Sequence, residues 1–286
     1  MKTIINSLIA IIIICIIATG FTTKPDNNHR ILIQSTDSKI SQADLSRSAE
    51  IITNRMKSFS IEKFEVKVIP AKNQIQVTLN NCRDMKIAEQ LATQKGALQF
   101  YETYNYKGVK KLLKGDSILL SLFNTKAPGD SNSQIGCTSP EGISKVDRYV
   151  NTAGLDQYCK FAWNNAFGES EVCLYALKLV DGKGVILNGA DIESFKITHD
   201  SKREKDNLEF SFKKSVIPVW ADITKRNIGN AIATVLDGNV IFAPVVWDEI
   251  TGGNCTVSGG FTTEQVKYIV AIGSNGELPV SFKVVK

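Results

Sequence analysis

Two histidines, six cysteines and a scatter of carboxylates are the residues of this chain that could do chemistry. His29 and His199 lie far apart, and two imidazoles cannot build a His-rich metal site. Cys15 falls in an apolar run, and Cys82, Cys137, Cys159, Cys173 and Cys255 show no C-x-x-C spacing. Zinc is therefore not expected. In an oxidising compartment Cys159 with Cys173, or Cys137 with either, are the sequence-near pairings, and buried free thiols fit equally well. No G-x-S-x-G, Walker or G-x-G-x-x-G pattern occurs. Gly252-Gly253 and Gly259-Gly260 read as turns. We expect no catalytic, cofactor-binding or metal-binding residues, and no enzyme. The net charge of +5 is spread thinly, without the basic and aromatic strip of a nucleic-acid binder.

The elements that would position a binding surface are clearer. Charged residues make up 22% and apolar residues 43% of the 286, which suits a globular protein of two modules. "RILIQST" reads as a strand. Ser41 with Asp44 opens a helix bearing Leu45, Ala49, Ile52, Met56 and Phe59 on one face. Phe64, Val66 and Val68, then Ile75, Val77 and Leu79, alternate as two half-buried strands. Asp84 opens a helix that Gly96 ends, and "ALQFYET" is a further strand. This β-α-β-β-α-β order is ferredoxin-like.

From Asn105 the pattern loosens. Residues 124 to 142 read as a loop, and 143 to 165 as helix broken at Gly154. "CLYALKLV", "IESFKITHD" and "NLEFSFKK" are strands, the last two around a charged tip at 201–206. Ser215 is placed to cap a helix through Asn227. Asp237-Gly238 between apolar runs is a strong hairpin signal. Thr262 with Gln265 forms a capping box ahead of Val266, Ile269 and Val270. "LPVSFKVV" is a closing strand.

At the N-terminus Lys2 precedes the apolar run Leu8 to Ala18, and residues 1–21 fit a signal peptide or a membrane anchor. Ile14 before Cys15 argues against a lipoprotein. The rest of the chain would lie outside the cytoplasmic membrane.

The segment from Thr224 to Val280 resembles the extracytoplasmic P1 domain of the SecD and fused SecDF protein-export subunits. The family pattern T-x-x-N-I-G, A-I-V-L-D-G-x-V-x-x-A-P-V, I-x-G-G, G-x-F-T and G-x-L-P is met by Thr224, Asn227, Ile228, Gly229, Ala233, Val235, Leu236, Asp237, Gly238, Val240, Ala243, Pro244, Val245, Ile250, Gly252, Gly253, Gly260, Phe261, Thr262, Gly276, Leu278 and Pro279. "YALKLVDGKGVILNGADI" is similar to the preceding family segment, and weaker likeness extends back to Ile31. Where the family has L-P-G this chain has Leu79-Asn80-Asn81, and Ser60 replaces a glycine.

The resemblance implies an α+β fold: a ferredoxin-like base at 29–104, an inserted α+β head at 105–275, and a return strand at 276–286. It implies an accessory export factor that binds unfolded secreted polypeptides at the outer face of the cytoplasmic membrane. The Sec channel or a full-length SecD or SecDF would be its partner. Lacking the family's later transmembrane helices, the chain is expected not to couple to proton flow itself. The alternative is a repurposed extracytoplasmic binding module unconnected with export. Phe242, Trp247 and Ile250, near the hairpin, are the expected polypeptide contacts, against the reading of both aromatics as ordinary core.

Overall fold

The computed structural model describes residues 28–285 apart from 81, 83, 115–116, 127–128, 180–183, 203 and 259. The expected N-terminal signal or anchor lies outside these residues. Among them, no helix is long and apolar enough to cross a membrane.

In chain order the elements are β1 (Asn28–Ser35), α1 (Gln42–Phe59), β2 (Phe64–Ile69), β3 (Gln74–Asn80), α2 (Met85–Thr93), β4 (Leu98–Tyr104), α3 (Tyr106–Leu112), α4 (Ile118–Ser121), β5 (Thr125–Lys126), β6 (Gln134–Thr138), α5 (Ile143–Val150), β7 (Cys159–Trp163), β8 (Val172–Lys178) and β9 (Val185–Asn188). Then follow β10 (Ile192–Asp200), β11 (Lys205–Phe212), α6 (Ile217–Arg226), β12 (Ile232–Leu236), β13 (Asn239–Phe242), β14 (Asn254–Val257), α7 (Thr263–Asn275) and β15 (Phe282–Val284).

The base is a four-stranded antiparallel sheet in the order β15-β1-β3-β2. Ile31, Ile33, Ile75, Val77 and Leu79 point from it into the core, where Leu45, Ile52 and Met56 of α1 meet them. Ser41 caps α1 by accepting from the Asp44 amide, and Asp84 caps α2 by accepting from the Ile87 amide.

The fourth strand of this ferredoxin-like layer differs from the sequence expectation. β4 does not join the base sheet. It pairs with β12, β8 and β9 in the larger head sheet, and β15 fills the fourth place beside β1. The reason lies in its side chains. Leu98, Phe100, Tyr101, Glu102 and Thr103 are all buried, including adjacent residues that point to opposite faces. A strand covered on both faces suits the middle of a sheet that is itself enclosed.

The head sheet runs β13-β12-β4-β8-β6-β5, and a second, three-stranded sheet runs β10-β11-β14. α7 packs against α1 on one side and against β10 and β11 on the other. Gly273 allows this approach, since a Cβ there would sit 2.6 Å from the Phe195 ring. One apolar core therefore runs from the base into the head.

Three head segments depart from the expected elements. Residues 134–138, expected as loop, form β6. Residues 159–163, expected as helix, form β7. Both pair with β8, whose seven residues are almost wholly buried, so tertiary pairing overrides weak local preference. Ser215 does not cap α6, which begins at Ile217 after a 3₁₀ turn with no side-chain cap. Cys137 and Cys173, opposite each other on β6 and β8, form the disulfide; Cys82, Cys159 and Cys255 are free.

The chain passes from base to head at Lys95–Ala97 and back at Gly276–Leu278. A buried arginine holds both crossings. Arg55 of α1 is fully inaccessible, and its guanidinium donates to the carbonyls of Gln94 (2.5 Å), Lys95 (3.0 Å) and Gly276 (2.6 Å). Burial pushes its pKa down to about 10; the charges of Tyr268, Asp237 and Glu277 oppose that shift, and the group is still cationic at neutral pH. Gly96 stands at φ +85°, and a Cβ there would collide with Arg55 Nη2. The β12–β13 hairpin completes the clamp. Asp237 takes the left-handed conformation at the turn, and its carboxylate accepts from the Gly96 amide (2.9 Å) and the Ala97 amide (2.7 Å). The Leu278 amide donates to the Lys95 carbonyl at 2.7 Å, joining the two crossings directly.

Candidate functional site

The far end of the same hairpin borders an open groove. Its floor is an aromatic cluster. Phe100 of β4, Phe210 and Phe212 of β11, and Trp220 of α6 stack with ring centroids 4.6–5.9 Å apart. Phe100, Phe210 and Trp220 face a cavity of about 280 Å³. One wall is β14, an edge strand. The other is the segment from Phe242 to Ile250. The volume is at the small end of cavities that hold a whole small molecule, roughly 300 Å³ upward. It suits a few apolar side chains.

Residues 244–250 have no regular secondary structure, so side chains and neighbouring backbone must hold them. The Val246 amide donates to the Asn230 carbonyl (2.9 Å), and the Gly229 amide donates to the Val246 carbonyl (2.8 Å). The Ile250 amide donates to the Thr224 hydroxyl oxygen at 2.9 Å. Thr224 and Asn227 are themselves buried, and the Asn227 side chain donates to the Ile223 carbonyl at 2.8 Å. The wall is thus tied to the last turn of α6.

α6 is in turn fixed to the head sheet by charge. Arg226 donates through Nε (2.8 Å) and Nη2 (2.6 Å) to Glu102 of β4, and Lys178 lies 3.4 Å from the same carboxylate. Burial opposes ionisation of Glu102, but the hydrogen bonds and charges of Arg226 and Lys178 outweigh it. The carboxyl is held below the usual range.

All three residues expected as contacts line this groove. Phe242 is half-buried and packs edge-on against Phe261 at 6.0 Å. Ile250 is half-buried. Trp247 is 82% exposed, so it is not a core residue. Val245 and Ile228 beside it are also exposed, which makes a local apolar surface on the groove rim. Sequence reasoning missed the supporting residues. Thr224 and Asn227 stood in the matched motif, but nothing local shows that Thr224 would accept from an amide 26 residues away.

A second depression of about 340 Å³ lies among Ser194, Lys196, Glu209, Ser211, Asn254 and Thr256. The Ser194 and Ser211 hydroxyls are 2.8 Å apart, and these polar residues share one face of the three-stranded sheet. No cluster of metal-ligating side chains occurs among the described residues.

A ferredoxin-like base carrying an α+β head of this topology defines a two-part, base-and-head module. Residues 175–280 match the family model for the SecDF P1 head subdomain. The protein translocase subunit SecD of Acidaminococcus fermentans is 32% identical over 111 residues, covering 38% of this chain and 26% of that protein. SecD of Desulfurispirillum indicum is 30% identical over 218 residues, or 65% of this chain and 42% of that protein. SecD of Endomicrobium trichonymphae is 25% identical over 247 residues, 85% of this chain and 46% of that protein.

The fold is shared with a SecDF crystal structure in a super-membrane-facing form, at TM-score 0.56 and 18% identity, covering 91% of this chain and 30% of that one. It is also shared with a structure from a study of SecDF as a membrane component that enhances protein export. That match has TM-score 0.53 and 19% identity, covering 90% of this chain and 98% of that one. The head-subdomain match, the SecD relatives and the shared SecDF fold together support a SecD/SecDF P1 domain in this chain. It spans less than half the length of the three SecD relatives above.

Proposed function

We propose that this chain is an accessory factor of protein export whose groove holds unfolded secreted polypeptide at the outer face of the cytoplasmic membrane. The Sec channel, or a full-length SecD or SecDF, is its working partner. The observation that carries this reading is the apolar groove within the matched P1 head, rimmed by the exposed Trp247. Unfolded chains offer apolar side chains that folded proteins bury, and an open apolar groove is complementary to them. The Cys137–Cys173 disulfide fits an oxidising compartment outside the cytoplasm. The described residues take the holding step, for which binding suffices.

The test is site-specific photo-crosslinking in living cells, with the reactive residue at Trp247 or Phe242 and at Lys202 as a control on the distant hairpin tip. The expected result is trapping of secreted precursors or channel subunits at Trp247 and Phe242 and none at Lys202. Equal trapping at all three positions, or none in a folded and correctly located protein, contradicts the reading.

A further inference from the structure

The groove is apolar, but its rim is not neutral. Asp248 follows Trp247 and is the one charged side chain lining the groove among the described residues. Its carboxylate is exposed and has no ion pair or hydrogen bond among those residues. The neighbouring Glu249 is already engaged by Lys225 at 3.5 Å. An exposed indole beside an unpaired carboxylate is a receptacle for an ammonium or guanidinium group. The ring face attracts the cation and the carboxylate pairs with it.

We propose that the Trp247–Asp248 rim selects, among apolar polypeptide segments, those that carry a lysine or arginine at one end. This rests on the reading of the groove as a polypeptide site and names the class of segment it prefers. Apolar side chains would fill the cavity over Phe100, Phe210 and Trp220, while the basic residue lies across the indole against Asp248. Acidic flanks meet Asp248 with like charge and are disfavoured, so the rim discriminates by repulsion as well as attraction. Because the pairing is solvent-exposed, the discrimination is modest, about three- to tenfold, and it weakens with salt.

The experiment uses the protein with three dye-labelled peptides that share one apolar ten-residue stretch and differ only in a terminal Lys-Lys, Gln-Gln or Glu-Glu pair. Binding is read by fluorescence anisotropy. The expected order is Lys tighter than Gln by about three- to tenfold, with Glu weakest. In Asp248→Asn the Lys-to-Gln ratio drops toward unity. If all three peptides bind with equal affinity, and Trp247→Ala weakens all of them, the groove reading stands and the rim inference is overturned. A Lys preference that persists undiminished in Asp248→Asn also overturns it. Failure of every peptide to bind sinks the groove reading itself.

Discussion

The two ends of the β12–β13 hairpin meet opposite environments. At its tip, Asp237 is taken up by the amides of Gly96 and Ala97, next to a guanidinium bonded to carbonyls of both crossing segments. At its other end, Phe242 and the segment after it border an apolar groove that the described residues leave open. The junction is closed and tied by several polar bonds, although the buried Nε of Arg55 has no partner among the described residues, whereas the groove offers apolar surface and one unpaired carboxylate. Polar bonding between distant segments, added to the apolar core that runs through both parts, fixes the head on the base. Apolar surface without a partner is what is left for binding. A hairpin anchored at one end can hold a wall steady at the other, and a steady wall lowers the ordering cost of binding.

Breaking the junction should have the largest effect. Arg55→Ala takes the guanidinium donors from the Gln94 and Gly276 carbonyls and leaves a cavity in the core, and is expected to destabilise the protein by about 3–5 kcal/mol in urea unfolding. Trp247→Ala, on the exposed rim, should stay within about 0.5 kcal/mol of the parent in the same assay. Similar losses for the two would erase the contrast between the regions.

Removing the disulfide by Cys137→Ala with Cys173→Ala should cost about 3–4 kcal/mol. The bond closes a loop with a sequence separation of 36, and the loss should be visible in the same unfolding curves. Arg226→Met removes the main partner of Glu102 and loosens α6 from the sheet. About 2 kcal/mol is expected, since Arg226 is half-exposed and solvent screens part of the pairing. The Glu102 contribution is present above the unfolded carboxylate pKa and is lost as pH falls through the depressed folded value. The gap between parent and Arg226→Met should therefore narrow in acid.

The smallest effect belongs to the tip of a different hairpin, the one formed by β10 and β11. His199 has its pKa raised, chiefly by its hydrogen bond to Asp206 at 3.1 Å, with the charges of Asp206 and Glu204 assisting. A raised folded value means that this pairing is present below the ordinary histidine pKa. It is lost as pH rises through the folded value. Amide protection factors at the tip, corrected for the intrinsic rise of exchange with pH, should fall over that window in the parent and show no such step in His199→Gln, while those of junction and groove amides stay constant in both.

Much of the framework is legible in the sequence because it depends on neighbours a few residues apart. The Ser41 and Asp84 caps, the alternation through Ile75, Val77 and Leu79, the Asp237-Gly238 turn and the Thr262–Gln265 capping box all form as their spacing predicts. What was misread depends on distant partners. β4 leaves the base because its two-sided burial fits the head sheet. β6 and β7 are strands because β8 lies beside them, and that same pairing selects Cys173 for Cys137. The groove was legible only in part. Phe242, Trp247 and Ile250 lie near one another because the hairpin precedes them, but the segment that carries Trp247 is held by bonds its Val246 and Ile250 amides donate to Asn230 and Thr224, which no local pattern reveals.

The contrast between a closed junction and an open groove can be measured directly by hydrogen–deuterium exchange on the whole protein, with and without an apolar peptide. Residues 95–97 and 276–278 are expected to be protected from the start and unchanged by peptide. Residues 244–250 and 254–257 should exchange faster alone and gain protection when peptide is added. Groove amides as protected as the junction without peptide, or protection that appears elsewhere on the molecule, would contradict the assignment of this groove as the binding surface.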